Sequence, residues 1–152
     1  MTQQTVGSLL VRRMYEEVFN SGNLAAIDDL VADEFSNFKE LGEGRATWKR
    51  IANMWRTAFP DWHMTIDDEI IHDDVVVHRV TVTGTHSGEL RHPLIGVVPA
   101  TGRKVEGWDQ IHIWRTRGEQ LSEHWGTRND VEMLQQLGVV PMFGEPKPAQ
   151  TH

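Results

Sequence analysis

The segment from Lys104 to Gly138 constrains the fold of this chain more than any other part. It reads as a strand, a tight turn around Gly118, a second strand and a closing helix. Polar and apolar residues alternate along the first strand, which is typical of a strand whose two faces meet different surroundings. The residues expected on its inner face are Glu106, Trp108, Gln110, His112 and Trp114.

That inner face mixes aromatic rings with an amide and an imidazole. A closed core seldom contains this mixture, because each buried polar group needs a hydrogen-bond partner. A ligand pocket does contain it, since apolar walls with a few polar groups bind and orient small molecules. The second strand, from Gln120 to Trp125, is expected to turn Ser122 and His124 inward. Antiparallel pairing would then bring His112 and His124 into one cavity.

Composition limits the classes of function. The chain has 152 residues and a formal net charge of -7, and it has no cluster of Lys or Arg, so binding to nucleic acid or to an anionic membrane is not expected. It contains no cysteine, which excludes disulfides and thiolate chemistry. Its eight histidines show neither an HxH nor an HExxH pattern, so no metal site is predicted. Neither a signal peptide nor a membrane span is visible, and a cytoplasmic location is expected.

The first half of the chain predicts three helices. Apolar residues four positions apart predict an amphipathic helix from Thr5 to Asn20, which Gly22 ends in a left-handed conformation. A short second helix follows Asn23, its expected N-cap. The third helix is expected to be capped by Thr47 and stopped by Pro60. The apolar face of this third helix comprises Trp48, Ile51, Trp55 and Phe59.

The second half of the chain predicts strands. Residues 62–67 alternate as a strand, and a turn at Asp73-Asp74 leads into Val75–Thr85, which is partly apolar on both faces and is therefore expected inside the sheet. Gly84 and Gly88 suggest a bulge or bend. Residues 93–102 read as a loop, and residues 34–38 as a connector that brings Asn37 to the edge of the core.

This order of elements predicts an α+β fold. Three N-terminal helices are expected to pack on a curved, mostly antiparallel sheet and to enclose a cone-shaped central pocket. Residues 1–140 form one expected domain, and the Pro-rich residues 141–152 form an expected loose tail. The outer face of the sheet is expected to be apolar enough to form a homodimer interface. The residues expected there are Val75, Val77, Ile111, Ile113, Leu121 and Trp125.

The order and the motifs together resemble the SnoaL-like polyketide cyclase family, within the wider group of nuclear-transport-factor-2-like α+β cones. The resemblance covers the chain from Arg12 to Gly138. The segments that carry it are Phe19–Gly22, Ala58–Trp62, Arg79 with Gly84–Gly88, Pro99–Arg103 and Leu134–Gly138.

The resemblance implies a reaction of secondary metabolism, such as antibiotic biosynthesis, on a hydrophobic polyketide-type substrate. In the characterised cyclases a carboxylate takes a proton alpha to carbonyl groups, an aldol reaction closes a ring, and no metal or organic cofactor is used. Asn37, Gln110 and His112 match pocket positions of the family. In the family a histidine lies two residues before the catalytic Asp. His124 matches that histidine, and Gly126 stands at the position of the Asp. The nearest downstream carboxylate is Asp130.

These matches define the candidate site. His112 and His124 are the expected proton-transfer groups, and Asp130 is the alternative candidate for that role. Asn37 and Gln110 would orient a carbonyl or an enolate. The further candidates for substrate contact are Trp108, Trp55, Phe59, His86 and Arg79. Structural interpretations stand beside these roles: a core histidine bonded to Gln110, an Asp130 that caps the last helix or complements its dipole, and an ion pair of Arg79 with Asp61.

Other functions remain open at this point. A relative that assists the hydroxylation of an aromatic polyketide would not need the carboxylate at position 126. A non-catalytic module for small hydrophobic ligands would need only the pocket. Epoxide hydrolysis by Asp61, Arg79 and Asp109 is disfavoured, because Asp109 is expected on the face opposite Gln110.

Overall fold

The N-terminal helix is longer than one regular α-helix. The structure, a computed structural model, describes residues 5–38 and 42–140. Helix α1, Val6–Arg13, continues directly as a π-helix over Met14–Asn20, so the expected helix is confirmed with a wider final segment. The side chain of Thr5 accepts a hydrogen bond from the Ser8 backbone and caps the start. Gly22 follows the end with φ 78°.

A strand replaces the expected connector before the third helix. A 3-10 turn, Leu24–Ala26, and helix α2, Ile27–Leu30, lead straight into strand β1, Val31–Phe38. The connector interpretation of residues 34–38 was therefore wrong. β1 pairs in parallel with a later strand, and its register shifts between Val31 and Ser36. That shift breaks the two-residue period by which a strand is detected in a sequence.

Helix α3, Arg45–Ala58, begins earlier than expected. The N-cap position belongs to Gly44, with φ 94°, whereas Thr47 lies in the first turn and accepts a hydrogen bond from Arg50. Capping by Thr47 was thus a wrong prediction. The expected end before Pro60 and the buried apolar face are confirmed. The buried residues of α3 are Trp48, Ile51, Ala52, Trp55 and Ala58.

Five strands form the main sheet in the order β1-β7-β6-β3-β2. Strands β2, His63–His72, and β3, Val75–Thr85, are joined at Asp73, whose φ is 52°. Strands β6, Lys104–Arg117, and β7, Gln120–Arg128, form a hairpin. All neighbours are antiparallel except the parallel pair β1 and β7. β3 lies inside the sheet, as expected.

Two smaller elements complete the fold. A hairpin of strand β4, Leu90–His92, and strand β5, Gly96–Val98, occupies part of the region that was read as a loop. Three-residue strands are too short to show a period, so the sequence did not reveal them. Helix α4, Asp130–Gln136, follows β7 as expected, and Gly138 lies beyond its end with φ 75°. The expected tail, residues 141–152, lies outside the described residues.

Two irregularities in the ladder change which side chains face inward. Trp108 lies opposite Val82 but Val105 opposite Gly84, so β6 carries one extra residue around Gly107, where φ is 64°. Val105 is therefore buried and Glu106 exposed, against expectation. A second shift, between Arg115 and Thr116, buries Leu121, which was expected on the outer face.

The helices cover the inner face of the sheet. α1 with its π-helical extension, α2 and α3 share one apolar core with the inward side chains of the strands, which confirms the expected α+β arrangement. Trp48 and Trp114 are among its largest fully buried side chains. Within the described residues, no helix combines the length and the apolar composition that a membrane crossing requires.

Candidate active site

Four inward side chains from three neighbouring strands form one hydrogen-bonded row, called here the histidine network: Asn37 of β1, His124 of β7, and His112 and Gln110 of β6. Asn37 Oδ1 lies 2.7 Å from His124 Nδ1, and His124 Nε2 lies 2.7 Å from His112 Nδ1. His112 Nε2 lies 2.8 Å from Gln110 Oε1. The structure therefore brings together the four polar residues that matched the family's pocket.

The histidine network is sealed rather than open to a ligand. Its exposed fractions are 4% for Asn37, 1% for Gln110, 3% for His112 and 0% for His124. The ring of Trp114 lies 4.3 Å from that of His124. Within the part of the chain that the structure describes, the expected cavity does not reach the two imidazoles. Both nitrogens of each ring are already engaged, so direct proton transfer between a ring and a substrate would require this row to open.

Burial also sets the charge of the two rings. It lowers the pKa of His112 to about 3, with a smaller contribution from nearby His78. Burial lowers the pKa of His124 as well, and the neighbouring His112 adds to this. Both imidazoles are therefore neutral at physiological pH, which suits hydrogen bonding between them better than acid catalysis.

Gly126 is the position that the sequence resemblance matched to the carboxylate of the related cyclases. It lies opposite His112 in the β6–β7 ladder. A Cβ atom placed there would lie 2.9 Å from His124 Cε1 and 3.3 Å from His112 Nδ1. The contact of the two imidazoles thus fills the space that a side chain at position 126 would need. The contact between His112 and His124 therefore depends on the absence of a side chain, such as a carboxylate, at position 126.

Three indoles pack together next to Gln110, and they are called here the tryptophan cluster: Trp55, Trp62 and Trp108. Their ring centroids lie 5.4 to 5.8 Å apart, and Phe59 lies 5.8 Å from Trp108. Trp55, Trp108 and Phe59 were expected as substrate walls, and the structure places all three in a buried aromatic group. Trp62 was not singled out in the sequence.

The tryptophan cluster contains hydrogen-bond donors without acceptors. Among the described residues, the indole N–H groups of Trp62 and Trp108 have no partner, and neither has the amide nitrogen of Gln110. Buried polar atoms of this kind are rare in folded proteins, and an unfilled one calls for water or a ligand. The two indole N–H groups are donors that a water or a ligand oxygen could satisfy.

A partly buried arginine adjoins this cluster. Arg128 lies opposite Gln110 in the ladder, and its guanidinium stacks on Trp55 at 5.3 Å. Burial lowers the pKa of Arg128 to about 10, against the opposing charge of Asp130. The sequence offered a signal for Arg128, because the inward period of Ser122 and His124 continues through it.

Asp130 is partly buried in the first turn of α4 and does not cap the helix. The side chain of Asn129 caps α4 by accepting a hydrogen bond from the Glu132 backbone, so capping by Asp130 was a wrong prediction. Its place in the first turn fits the other structural interpretation, a carboxyl group that complements the helix dipole. Burial raises the pKa of Asp130, although the charges of Arg128 and His92 act in the opposite direction. Its Oδ1 atom is buried without a hydrogen-bond partner among the described residues.

His92 belongs to the same region and was missed in the sequence. Its ring lies 5.5 Å from Trp55. Its Nδ1 accepts hydrogen bonds from the backbone N–H groups of Leu94 and Ile95, each at 3.1 Å. The neutral ring must therefore carry its proton on Nε2. Burial lowers the pKa of His92, which keeps the ring neutral.

The ring of His86 lies 5.4 Å from that of Phe59, whereas Arg79 lies away from this group. His86 is fully buried, and its Nδ1 lies 2.9 Å from Thr101 Oγ1, which ties together two loops. Arg79 projects from the outer face, where 55% of its side chain is exposed and Asp67 is 3.7 Å away. Asp61 instead accepts hydrogen bonds from the backbone and side chain of Thr85, so the expected ion pair of Arg79 with Asp61 was wrong.

A second buried polar row was also missed. The Tyr15 hydroxyl lies 3.0 Å from His78 Nδ1, and His78 Nε2 lies 2.6 Å from Glu69 Oε2. Trp114 donates its indole N–H to the same hydroxyl at 3.0 Å. Burial raises the pKa of Tyr15, so the hydroxyl remains a donor to His78. This row connects the first helix to β3 directly beside His112, which faces His78 in the ladder.

Comparisons with known proteins agree with this fold. The family model for SnoaL-like polyketide cyclase matches residues 9–137, whereas no curated protein matches the chain significantly. Among solved structures, TsrD from Streptomyces laurentii superposes with a TM-score of 0.78 at 21% identity, over 92% of this chain and 100% of that one.

Two other solved structures are similar at higher identity. AclR from Streptomyces galilaeus, described as a candidate hydroxylase, has a TM-score of 0.76 and 26% identity over 91% of this chain and 100% of its own. IdmH from Streptomyces antibioticus, described as a candidate polyketide cyclase, has a TM-score of 0.71 and 29% identity over 88% of this chain and 99% of its own. The chain belongs to the SnoaL-like polyketide cyclase family.

Proposed function

We propose that this protein is an enzyme that transfers a proton at an activated carbon of a polyketide-type or other hydrophobic polycyclic substrate, without a bound cofactor. The observation that carries the proposal is the partly buried Asp130 carboxyl group, whose pKa is raised and whose buried Oδ1 has no partner among the described residues. A carboxylate with a raised pKa is a stronger base, and the charge of Arg128, which acts on Asp130, lies over the Trp55 ring of the tryptophan cluster.

The proposed reaction uses groups that the fold already holds. Ionised Asp130 takes a proton from a carbon flanked by carbonyl groups, and the electron pair moves to a carbonyl oxygen as an enolate. The indole N–H of Trp108 and the charge of Arg128 stabilise that oxygen. The enolate carbon then attacks a second carbonyl, as in an aldol closure, or is reprotonated elsewhere. Asp130 returns its proton to the new alkoxide or carbon, so that protons and charge balance.

The histidine network has a positioning role in this proposal. His112 and His124 are sealed and neutral, and they hold Gln110 next to the tryptophan cluster through the bond at 2.8 Å. Proton transfer by the two histidines, as expected from the sequence, remains a prediction. While the histidine network is buried and fully hydrogen-bonded, the carboxyl group of Asp130 is the better candidate for proton transfer, because its Oδ1 has no partner among the described residues.

The test is deuterium exchange at the activated carbon of an aromatic polyketide ester, followed by mass spectrometry in D₂O. The Asp130→Asn variant is expected to lower the protein-catalysed exchange rate about 100-fold or more, since removal of a general base has effects of that order. Asp73→Asn is the matched control, because the Asp73 side chain is 83% exposed in a turn. Exchange that is equally fast in wild type and Asp130→Asn would refute the proposal.

A second candidate function is assistance in the hydroxylation of an aromatic polyketide. Two points favour it: the resemblance matches Gly126 to the position of the cyclase carboxylate, and AclR, at 26% identity, is described as a candidate hydroxylase. In that case an oxygenated product would form only when a reductase partner is added, and Asp130→Asn would leave exchange unchanged. A non-catalytic binding role would give ligand-dependent tryptophan quenching without any product.

We also propose that the protein acts as a cytoplasmic homodimer that uses the outer face of the sheet. Ile111, Ile113 and Trp125 on β6 and β7 are 44%, 38% and 40% exposed. Three large apolar side chains on adjacent strands are characteristic of an interface. Leu121 is not part of this face, because it is buried in the core.

A further inference from the structure

The histidine network contains a hydrogen-bond imbalance that determines where its protons lie. In the structure an amide oxygen lies at each end of the row: Asn37 Oδ1 faces His124, and Gln110 Oε1 faces His112. An oxygen can only accept, so both end nitrogens must carry protons. The central contact between the two rings needs one more proton. Three ring protons are one more than two neutral imidazoles possess, and the row would then carry a positive charge.

The surroundings do not favour that charge. The groups facing the two rings are the indoles of Trp48 and Trp114, the phenol of Tyr15 and the imidazole of His78. None of these four groups is anionic, and Glu69 is already bound to His78, Ser8 and Arg12. A buried cation without an anionic partner is costly. The neutral row therefore needs one of its two end amides to present nitrogen instead of oxygen.

Gln110 is the end that can turn without losing a bond. An amide has nearly the same shape in both orientations, so its partners decide which atom is the oxygen. Asn37 makes a further interaction in the structure. The amide nitrogen of Gln110, by contrast, is buried without a partner among the described residues. Turning this amide gives its nitrogen an acceptor, His112 Nε2, and satisfies every nitrogen of the row.

We infer that Gln110 donates its amide N–H to His112 Nε2 and directs its carbonyl oxygen to the opposite side. The protons of the row then all point one way: Gln110 donates to His112, His112 Nδ1 donates to His124, and His124 Nδ1 donates to Asn37. Asn37, His124 and His112 are positioning residues, which act on a ligand only through the amide of Gln110.

The orientation determines which ligand group Gln110 meets, and this consequence rests on the proposed function. An amide nitrogen would favour a carbonyl or enolate oxygen, whereas the inferred oxygen accepts a hydrogen bond from a hydroxyl. Trp108, two residues earlier on the same face, has an indole N–H without an acceptor among the described residues. Gln110 and Trp108 together then offer one acceptor and one donor, which matches a phenolic or enolic hydroxyl on the substrate.

The test is the protonation pattern of the two rings in ligand-free protein, measured by long-range proton–nitrogen NMR on histidine-labelled protein at pH 7.5. The inferred pattern is a proton on Nδ1 of both His112 and His124. Protons on Nε2 of both rings would show the opposite direction, with Asn37 turned instead, and would overturn the inference. A third ring proton would show a cationic row and would overturn it as well.

Two variants test whether Gln110 is the donor to His112. Gln110→Leu removes the inferred donor and is expected to move the His112 Nε2 signal downfield, towards that of a free imidazole nitrogen. Gln120→Leu, at the distant start of β7, is expected to leave it in place. If Gln110→Leu does not fold, the wild-type pattern alone decides. The measurement needs no substrate, so its outcome is independent of whether Asp130→Asn abolishes proton exchange.

Discussion

A methyl group at position 126 is the sharpest probe of how the histidine network is packed. The Cβ atom of Gly126→Ala would lie 2.9 Å from His124 Cε1 and 3.3 Å from both His124 Nε2 and His112 Nδ1. The first distance is shorter than van der Waals contact allows, so the ring of His124 must move. It has little freedom to do so, because Trp48 and Trp114 pack against it at 4.9 and 4.3 Å.

The expected cost follows from two opposing terms. Overpacking a closed core costs about 1–3 kcal/mol. Replacing a glycine by alanine where the backbone permits it contributes about 0.4–1 kcal/mol in the other direction, because the unfolded chain loses freedom. Gly126 does not have positive φ, so the second contribution applies. The net destabilisation expected for Gly126→Ala is about 1–2 kcal/mol.

A double-mutant cycle assigns that cost to the imidazole. In a His124→Ala background the collision is removed, and adding Gly126→Ala is expected to be neutral or slightly stabilising. The unfolding free energies of the four proteins, measured by urea denaturation, give the coupling directly. A coupling of about 1–3 kcal/mol, the overpacking cost alone, supports this packing of the His124 ring. If Gly126→Ala costs the same in both backgrounds, the ring of His124 does not occupy the space at position 126.

Three further predictions concern stability and assembly. As the pH falls from 7.5 to 5, the unfolding free energy is expected to drop by about 2 kcal/mol through His112, because its ring binds a proton below its ordinary pKa of 6.5 in the unfolded chain and does not when buried. Burial lowers the pKa of His124 as well, so this residue adds to the drop in the same direction; a flat urea-denaturation profile over this range would contradict both. Tyr15→Phe leaves His78 Nδ1 and the Trp114 indole without their shared hydrogen-bond partner. It is expected to lower the free energy of unfolding, measured by heat or urea, by about 2–4 kcal/mol. A decrease under about 0.5 kcal/mol would show that this polar row contributes little to stability. Trp125→Glu is expected to convert a dimer into a monomer in light scattering at micromolar concentration, and a monomeric wild type would refute the interface.

The sequence revealed the parts of the site that follow a regular period. Alternation along β6 identified Trp108, Gln110, His112 and Trp114 as one buried face, and hairpin pairing predicted that His112 and His124 would meet. The same reasoning stopped at Trp125, although β7 continues to Arg128. Extending the two-residue alternation from His124 by two further steps would have identified Arg128, whose charge acts on Asp130.

Irregular backbone accounts for most of what the sequence did not show. The extra residue at Gly107 exchanged the faces of Val105 and Glu106, and a register shift buried Leu121. Strand β1 carries no clean period because its pairing shifts before Ser36. Such features depend on contacts between strands that are distant in the chain, so a local pattern contains little information about them.

Long-range contacts also decided the chemistry of individual groups. An isolated carboxyl group at a helix start suggests a cap, and only the folded chain shows that Asn129 caps α4 while Asp130 is partly buried within reach of the charges of Arg128 and His92. The closure of the histidine network likewise depends on Trp48 and Trp114, which come from a helix and a strand far apart in the sequence.

The central claim, that Asp130 is the base of a proton-transfer site, is tested most directly by the pH dependence of deuterium exchange into a polyketide ester. Because the ionised carboxylate is the active form, the rate is expected to rise with pH through an inflection above 3.8, the ordinary pKa of an aspartate. In Asp130→Asn that inflection is expected to disappear together with the catalysed rate. An inflection that persists unchanged in Asp130→Asn would contradict the claim and assign the base to another group.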